Sequence, residues 1–184
     1  MKFLGIDLGW HGKPSGLAAL EWQDGQLRFL EARTHQDKEQ ILAWVDAHSA
    51  NAPCGIGVDA PLVIPNATGA RPAEKLLNAR YARAHAGCHP ANQGRPFAGY
   101  VTGFSADLAA RGFRHADRVE AQAPDRFQIE VHPHAASVEL FELPRILKYK
   151  KGDKASRMRE LRKYRDLMAG VLPHLQPPLA AAHA

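Results

Sequence analysis

Apolar and polar positions alternate along this chain in two rhythms. Phe3-Leu4-Gly5-Ile6-Asp7-Leu8 is a short apolar run around one acid, and it predicts a buried strand over Lys2 to Trp10. A turn with Gly12 and Pro14 occupies His11 to Ser15. Gly16 to Trp22 and Gln26 to Ala32 read as two more strands, joined by Asp24-Gly25, a dipeptide suited to a tight hairpin. The chain is therefore expected to open as an antiparallel meander. Helical spacing then takes over: Ile41, Leu42, Trp44 and Val45 form one apolar stripe behind Asp37, a candidate N-cap. Cys54 to Leu62 returns to a buried strand. Strand, helix, strand implies a right-handed crossover, so this fourth strand should lie parallel to the first.

Residues 65–125 break the rhythm and are expected to form a helical insertion. Arg71-Pro72 places proline at a helix start with Glu74 close behind, and that helix carries Lys75, Arg80 and Arg83. Gly87 to Gly103, rich in Gly, Pro, Asn and Gln, reads as a structured loop, and a second helix is expected over Ser105 to Arg111. Phe127 to Val131 is the fifth strand, followed by a short helix from Ala135 to Leu143 and a basic helix over 154–172. The end, from Pro177 onward, has no assignable pattern. The expected architecture is a single α/β domain over 1–184. Its mixed five-stranded sheet has the order 3-2-1-4-5, with helices on both faces.

Composition narrows the function classes. The chain has 184 residues, 45% hydrophobic and 23% charged, with 24 Lys+Arg against 19 Asp+Glu. That suits one globular domain. No apolar run approaches the roughly 18 residues of a membrane span. An acid and a glycine come too early for a signal-peptide core, so a cytoplasmic protein without membrane association is expected. Cys54 and Cys88 form no CxxC pair and no disulfide framework. Charge is uneven: residues 1–144 carry a net of −2 and residues 145–184 a net of +7. A basic block beside a neutral body is either a footprint for nucleic acid or a solvated helix face.

The candidate chemistry lies at strand ends. Ile6-Asp7 and Val58-Asp59 both lead apolar residues to one aspartate. In parallel neighbouring strands, both carboxylates would emerge at the C-terminal edge, where open sheets bind ligands. Glu130, after Phe127 and Ile129, is expected at a comparable depth. Three acids together repel one another and favour a divalent cation, and oxygen-only donors select Mg²⁺ or Mn²⁺. Such metals activate water and stabilise the leaving oxygen of a phosphodiester. The plainer alternative is that each acid caps a turn or pairs with a nearby arginine.

The ordered set Gly5-Ile6-Asp7, Val58-Asp59-Ala60-Pro61-Leu62, Arg71-Pro72-Ala73-Glu74 and Glu130-Val131-His132-Pro133 resembles the domain-of-unknown-function 429 family. Members of that family are described as predicted RNase H-like nucleases. The resemblance runs from residue 3 to about residue 165. It implies an RNase H-like fold, with Asp7, Asp59 and Glu130 as metal-binding and catalytic acids. Arg71 and Glu74 would belong to an insertion overhanging them. Arg71, Arg80, Arg83 and His132 are the candidate substrate-binding residues. The family's closing helix with a further acid has no obvious counterpart here. Asp166 lies among Arg162, Lys163 and Arg165, where an ion pair is expected, so the chain is expected to stop one helix short.

His132 and His134 share one side of an extended segment, yet they lack supporting zinc ligands. No P-loop and no GxSxG motif is present, which argues against P-loop nucleotide binding and serine acyl transfer. The expected activity is metal-dependent hydrolysis of nucleic acid. A non-catalytic nucleic-acid- or protein-binding module and a small phosphoester or nucleotide hydrolase remain as alternatives.

Overall fold

The structure is a computed structural model that describes residues 1–10, 13–50, 52–121, 123–176, 178 and 179. Part of the expected His11–Ser15 turn and most of the tail from Pro177 lie outside these. The meander forms as its pattern dictates, with β1 (Lys2–Asp7), β2 (Ser15–Gln23) and β3 (Gln26–His35) antiparallel in sequence. At the β2–β3 turn, Asp24 and Gly25 both take positive φ, 52° and 78°, the backbone that a right-twisted two-residue hairpin needs. α1 (Lys38–Ser49) buries Ile41, Leu42, Trp44 and Val45, and β4 (Cys54–Val58) returns parallel to β1.

The sheet has six strands, not five, in the order β3-β2-β1-β4-β6-β5. The expected fifth strand is β6 (Arg126–Glu130), and beyond it lies the two-residue β5 (Arg114–His115). No apolar period marks β5. It is held by Gln128, a fully buried side chain on β6 whose amide donates to the carbonyls of Phe113 and Ser105 at 3.0 and 2.9 Å. A buried amide needs partners, and these two carbonyls tie the segment to the edge of the sheet.

The insertion also differs from expectation. α2 (Pro72–Tyr81) starts where Arg71-Pro72 predicts, and one 3-10 turn (Ala82–Ala84) extends it. α3 spans Ala98–Ala109, so it starts seven residues before the expected Ser105, inside the segment read as loop. Gly99 and Gly103 lie in its first two turns, yet Ala98, Val101, Phe104 and Leu108 keep a helical stripe and are all buried. Burial of that stripe outweighs the two glycines, each of which costs roughly 1 kcal/mol. α4 (Pro133–Leu140) and α5 (Lys154–Val171) complete the order, with Asp153 capping α5 by accepting the Ser156 N–H at 2.8 Å.

One contiguous core joins β1, β2, β4, α1 and α3 through residues such as Leu4, Ile6, Ile56, Val58, Val45 and Phe104. Gly55 of β4 faces Phe127 of β6, and a Cβ there would lie 2.5 Å from the Phe127 ring. Gly55→Ala should therefore cost about 1–3 kcal/mol by overpacking, measured by urea unfolding. A loss below about 0.5 kcal/mol would show that the ring moves aside freely.

Candidate active site

Parallel pairing brings the two aspartates together. Ile6 pairs with Val58, and the ladder continues as the Asp59 N–H donates to the Ile6 carbonyl at 2.8 Å, so Asp7 and Asp59 leave β1 and β4 at one level. They line a cavity of about 710 Å³ together with Trp10, Arg71, Arg95, Phe97, Glu130 and His132, among others. Burial first, and the neighbouring Asp7 carboxylate second, push the Asp59 carboxyl up to about 6. Asp7 is more open, and Lys150 Nζ stands 3.3 Å from its Oδ2. Burial works against the Lys150 charge, but Asp7 holds that ammonium above its usual range.

Glu130 lines the same cavity but does not join the pair. Its register partner is Val58, one residue short of the Asp7–Asp59 level, and its charge adds to those that raise the Asp59 carboxyl. There Arg71 takes both of its oxygens, with Nη1 donating to Oε2 at 2.8 Å and Nη2 donating to Oε1 at 2.6 Å. The Leu62 N–H also donates to Oε2 at 3.2 Å. Arg71 Nε donates to Glu74 Oε1 at 2.7 Å, and Nη1 also donates to the Val63 carbonyl at 2.9 Å. Glu74, 3% exposed, further accepts the backbone N–H groups of Arg71 and Ala91. For Glu130 the structure shows the plainer alternative, pairing with an arginine. Burial disfavours the Arg71 charge, yet its hydrogen bonds to Glu130 and Glu74 keep it firmly protonated.

The other candidates divide. His132 lines the cavity with its Nε2 donating to the Ala86 carbonyl at 3.1 Å, since a carbonyl can only accept. Arg80 and Arg83 are not brought to this cavity. Arg80 instead pairs with exposed Glu139 at 2.9 Å, beside the Tyr81 ring. Asp166 pairs with Arg165 at 2.8 Å, as its neighbours suggested. Lys150 was the missed residue. It lies 143 positions from Asp7 in sequence, and its only sequence signal is the density of lysines over 148–151. Trp10 and Phe97 were not read as a pair, and their rings lie 4.2 Å apart in the cavity wall.

The shifted Asp59 carboxyl has a consequence for stability. Its folded pKa lies above the unfolded value, so the folded chain binds the extra proton between the two. Folding stability is therefore lost as pH rises through about 6. Asn mimics the neutral acid. Asp59→Asn should thus leave stability little changed near about pH 4 and raise the melting midpoint by about 2–4 °C near about pH 8. A midpoint shift independent of pH would contradict the assigned burial.

The chain belongs to a protein family of unknown function, DUF429, whose model matches residues 5–183. No curated protein matches it. Among solved structures it is similar to the nuclease domain of the P22 large terminase at 15% identity and a TM-score of 0.27, over 92% of this chain and 81% of that one. A similarity that slight carries no argument about the site. No helix among the described residues is long and apolar enough to cross a membrane.

Proposed function

We propose that the protein is a divalent-cation-dependent hydrolase of phosphodiester bonds in nucleic acid, with Asp7 and Asp59 as its catalytic carboxylates. The observation that carries this reading is the Asp7–Asp59 pair at adjacent parallel strand ends, with the Asp59 carboxyl pushed up to about 6 by burial and by Asp7. Two acids kept close at such a cost suit a cation.

The donor set fits Mg²⁺ or Mn²⁺. Among the described residues no three His, Cys, Asp or Glu side chains converge to hold a metal unaided. Mg²⁺, however, is commonly bound by one or two carboxylates together with substrate phosphate oxygens and water. When bound, the cation supplies activation of water and charge stabilisation at the leaving oxygen. Asp7 and Asp59 hold it at the sheet edge, which requires Asp59 deprotonated. Lys150 neutralises Asp7 in the free protein and stands ready to follow the negative charge of an incoming phosphate. Arg71 fixes Glu130 and, through Glu74, the Ala91 backbone, which sets the far wall of the cleft.

The test is cleavage of single-stranded, duplex and RNA–DNA hybrid substrates during Mg²⁺ and Mn²⁺ titration. Hydrolysis that follows the cation and stops with EDTA is expected. Salt-sensitive binding without turnover would favour a non-catalytic module on the same fold.

A further inference from the structure

Next to the carboxylate cleft lies a second cavity of about 490 Å³ with the opposite character. Its basic lining is Lys148, Lys150, Lys151, His85, His89 and His134, beside the Cys88 thiol and with no Asp or Glu. It shares His85, His89, His134 and Lys151 with the larger cavity, and Lys150 reaches from it to Asp7. The two cavities therefore meet along one wall.

This wall is built. Asn78 clamps the loop after α2 by accepting the Cys88 N–H at 2.8 Å and donating to the Cys88 carbonyl at 3.1 Å. A Cβ at Gly87 would lie 2.6 Å from the Asn78 side-chain oxygen, so the clamp closes only over glycine. His132 holds the Ala86 carbonyl, and the Ile146 N–H donates to the Ala84 carbonyl at 2.9 Å, which fastens the lysine segment to the same loop. His85 is held there with a positive φ of 58°. On the lysine side, Tyr149 stacks on Tyr164 of α5 at 5.6 Å and 7°. The facing carboxylates are few. Glu160 accepts the Lys148 backbone N–H, and Asp7 takes Lys150, while Lys148 and Lys151 form no ion pair among the described residues.

We propose that this cavity is a phosphate-binding subsite that holds a backbone phosphate of the substrate strand next to the phosphodiester attacked at Asp7 and Asp59. Lys148 and Lys151 supply the free positive charge, and His85 and His89 supply ring N–H donors. The nucleic-acid nature of the phosphate rests on the proposed function. A cation cleft with a cationic pocket along its wall matches two successive groups on one strand: the first shares its oxygens with a metal, the second meets ammonium groups directly.

The experiment separates binding from cleavage. Binding of a fluorescent single-stranded oligonucleotide of about 12 nucleotides, as DNA and as RNA, is followed by anisotropy in EDTA over a range of NaCl. Lys148→Gln/Lys151→Gln should weaken binding roughly tenfold and lower the salt slope by about 1 to 1.5. The matched pair Arg157→Gln/Arg162→Gln on α5, which removes the same charge away from the cavity, should weaken it less than about twofold. Inorganic phosphate should compete more weakly than the oligonucleotide. Equal losses in the two double variants, no loss in the first, or no binding by the wild type would each overturn the subsite. Both substituted lysines are exposed, and an unchanged melting midpoint confirms that the variant is folded. Cation-dependent cleavage is scored separately, so an inactive protein that still binds through Lys148 and Lys151 refutes the nuclease reading and leaves the cavity as a phosphate-binding site for a nucleic-acid strand.

Discussion

Arg71→Ala should destabilise the protein by about 3–5 kcal/mol, the largest stability loss expected of any surface-to-site substitution here. Arg71 is 9% exposed and Glu74 3%, and the guanidinium satisfies two carboxylates and the Val63 carbonyl at once. Removing it leaves Glu74 charged and buried with only backbone donors, and frees both oxygens of Glu130. Lysine should not rescue the loss, because one ammonium cannot reproduce the fork that pairs Nη1 and Nη2 with Glu130 while Nε holds Glu74. The triple change Arg71→Met/Glu74→Gln/Glu130→Gln should recover a large part of it, since it removes the uncompensated charges with their partner. Urea unfolding of the three proteins measures this. A loss below about 1 kcal/mol for Arg71→Ala would mean that water replaces the guanidinium at little cost.

The same arginine shows what could be read from the chain and what could not. Local signals carried the meander, α1, the parallel return of β4 and the start of α2, because each is encoded by neighbours: Asp24-Gly25 at the hairpin, the Ile41–Val45 stripe, Pro72 with Glu74. Placement of Asp7 beside Asp59 followed from strand direction alone. Register between distant strands is another matter. Ile129-Glu130 looks like Ile6-Asp7 and Val58-Asp59, yet Ile129 pairs with Gly57, not with Val58. That one-residue offset leaves Glu130 short of the Asp7–Asp59 level and within reach of Arg71, and register depends on packing that no local pattern records. β5 escaped notice for a similar reason, since two polar residues become a strand only through the buried amide of Gln128. Lys150 approaches Asp7 through a segment fastened to the loop after α2, a contact set by tertiary packing.

Asp7→Asn and Asp59→Asn should each lower cation-dependent cleavage by at least about a hundredfold. Loss of an outer-shell partner already costs roughly 10–100-fold in metal sites, and these two are proposed as direct ligands. The two variants should differ in stability. Asp59→Asn removes a carboxylate that burial and Asp7 disfavour, so it gains stability above about pH 6 while losing activity. Asp7→Asn removes the partner of Lys150, a pair whose side chains are 58% and 60% exposed, and relieves Asp59 of one neighbouring charge, so any gain in its stability should be smaller than that of Asp59→Asn. In the wild type, cleavage should rise with pH through about 6, because a cation competes with the proton on Asp59 and wins only as that carboxyl ionises. A carboxylate kept for structure behaves otherwise: its removal lowers stability and activity together, with no link to added Mn²⁺. Titrating Mn²⁺ against cleavage rate and melting midpoint for the wild type and both variants separates the cases. Full activity in either variant at saturating Mn²⁺ would remove that aspartate from the reaction.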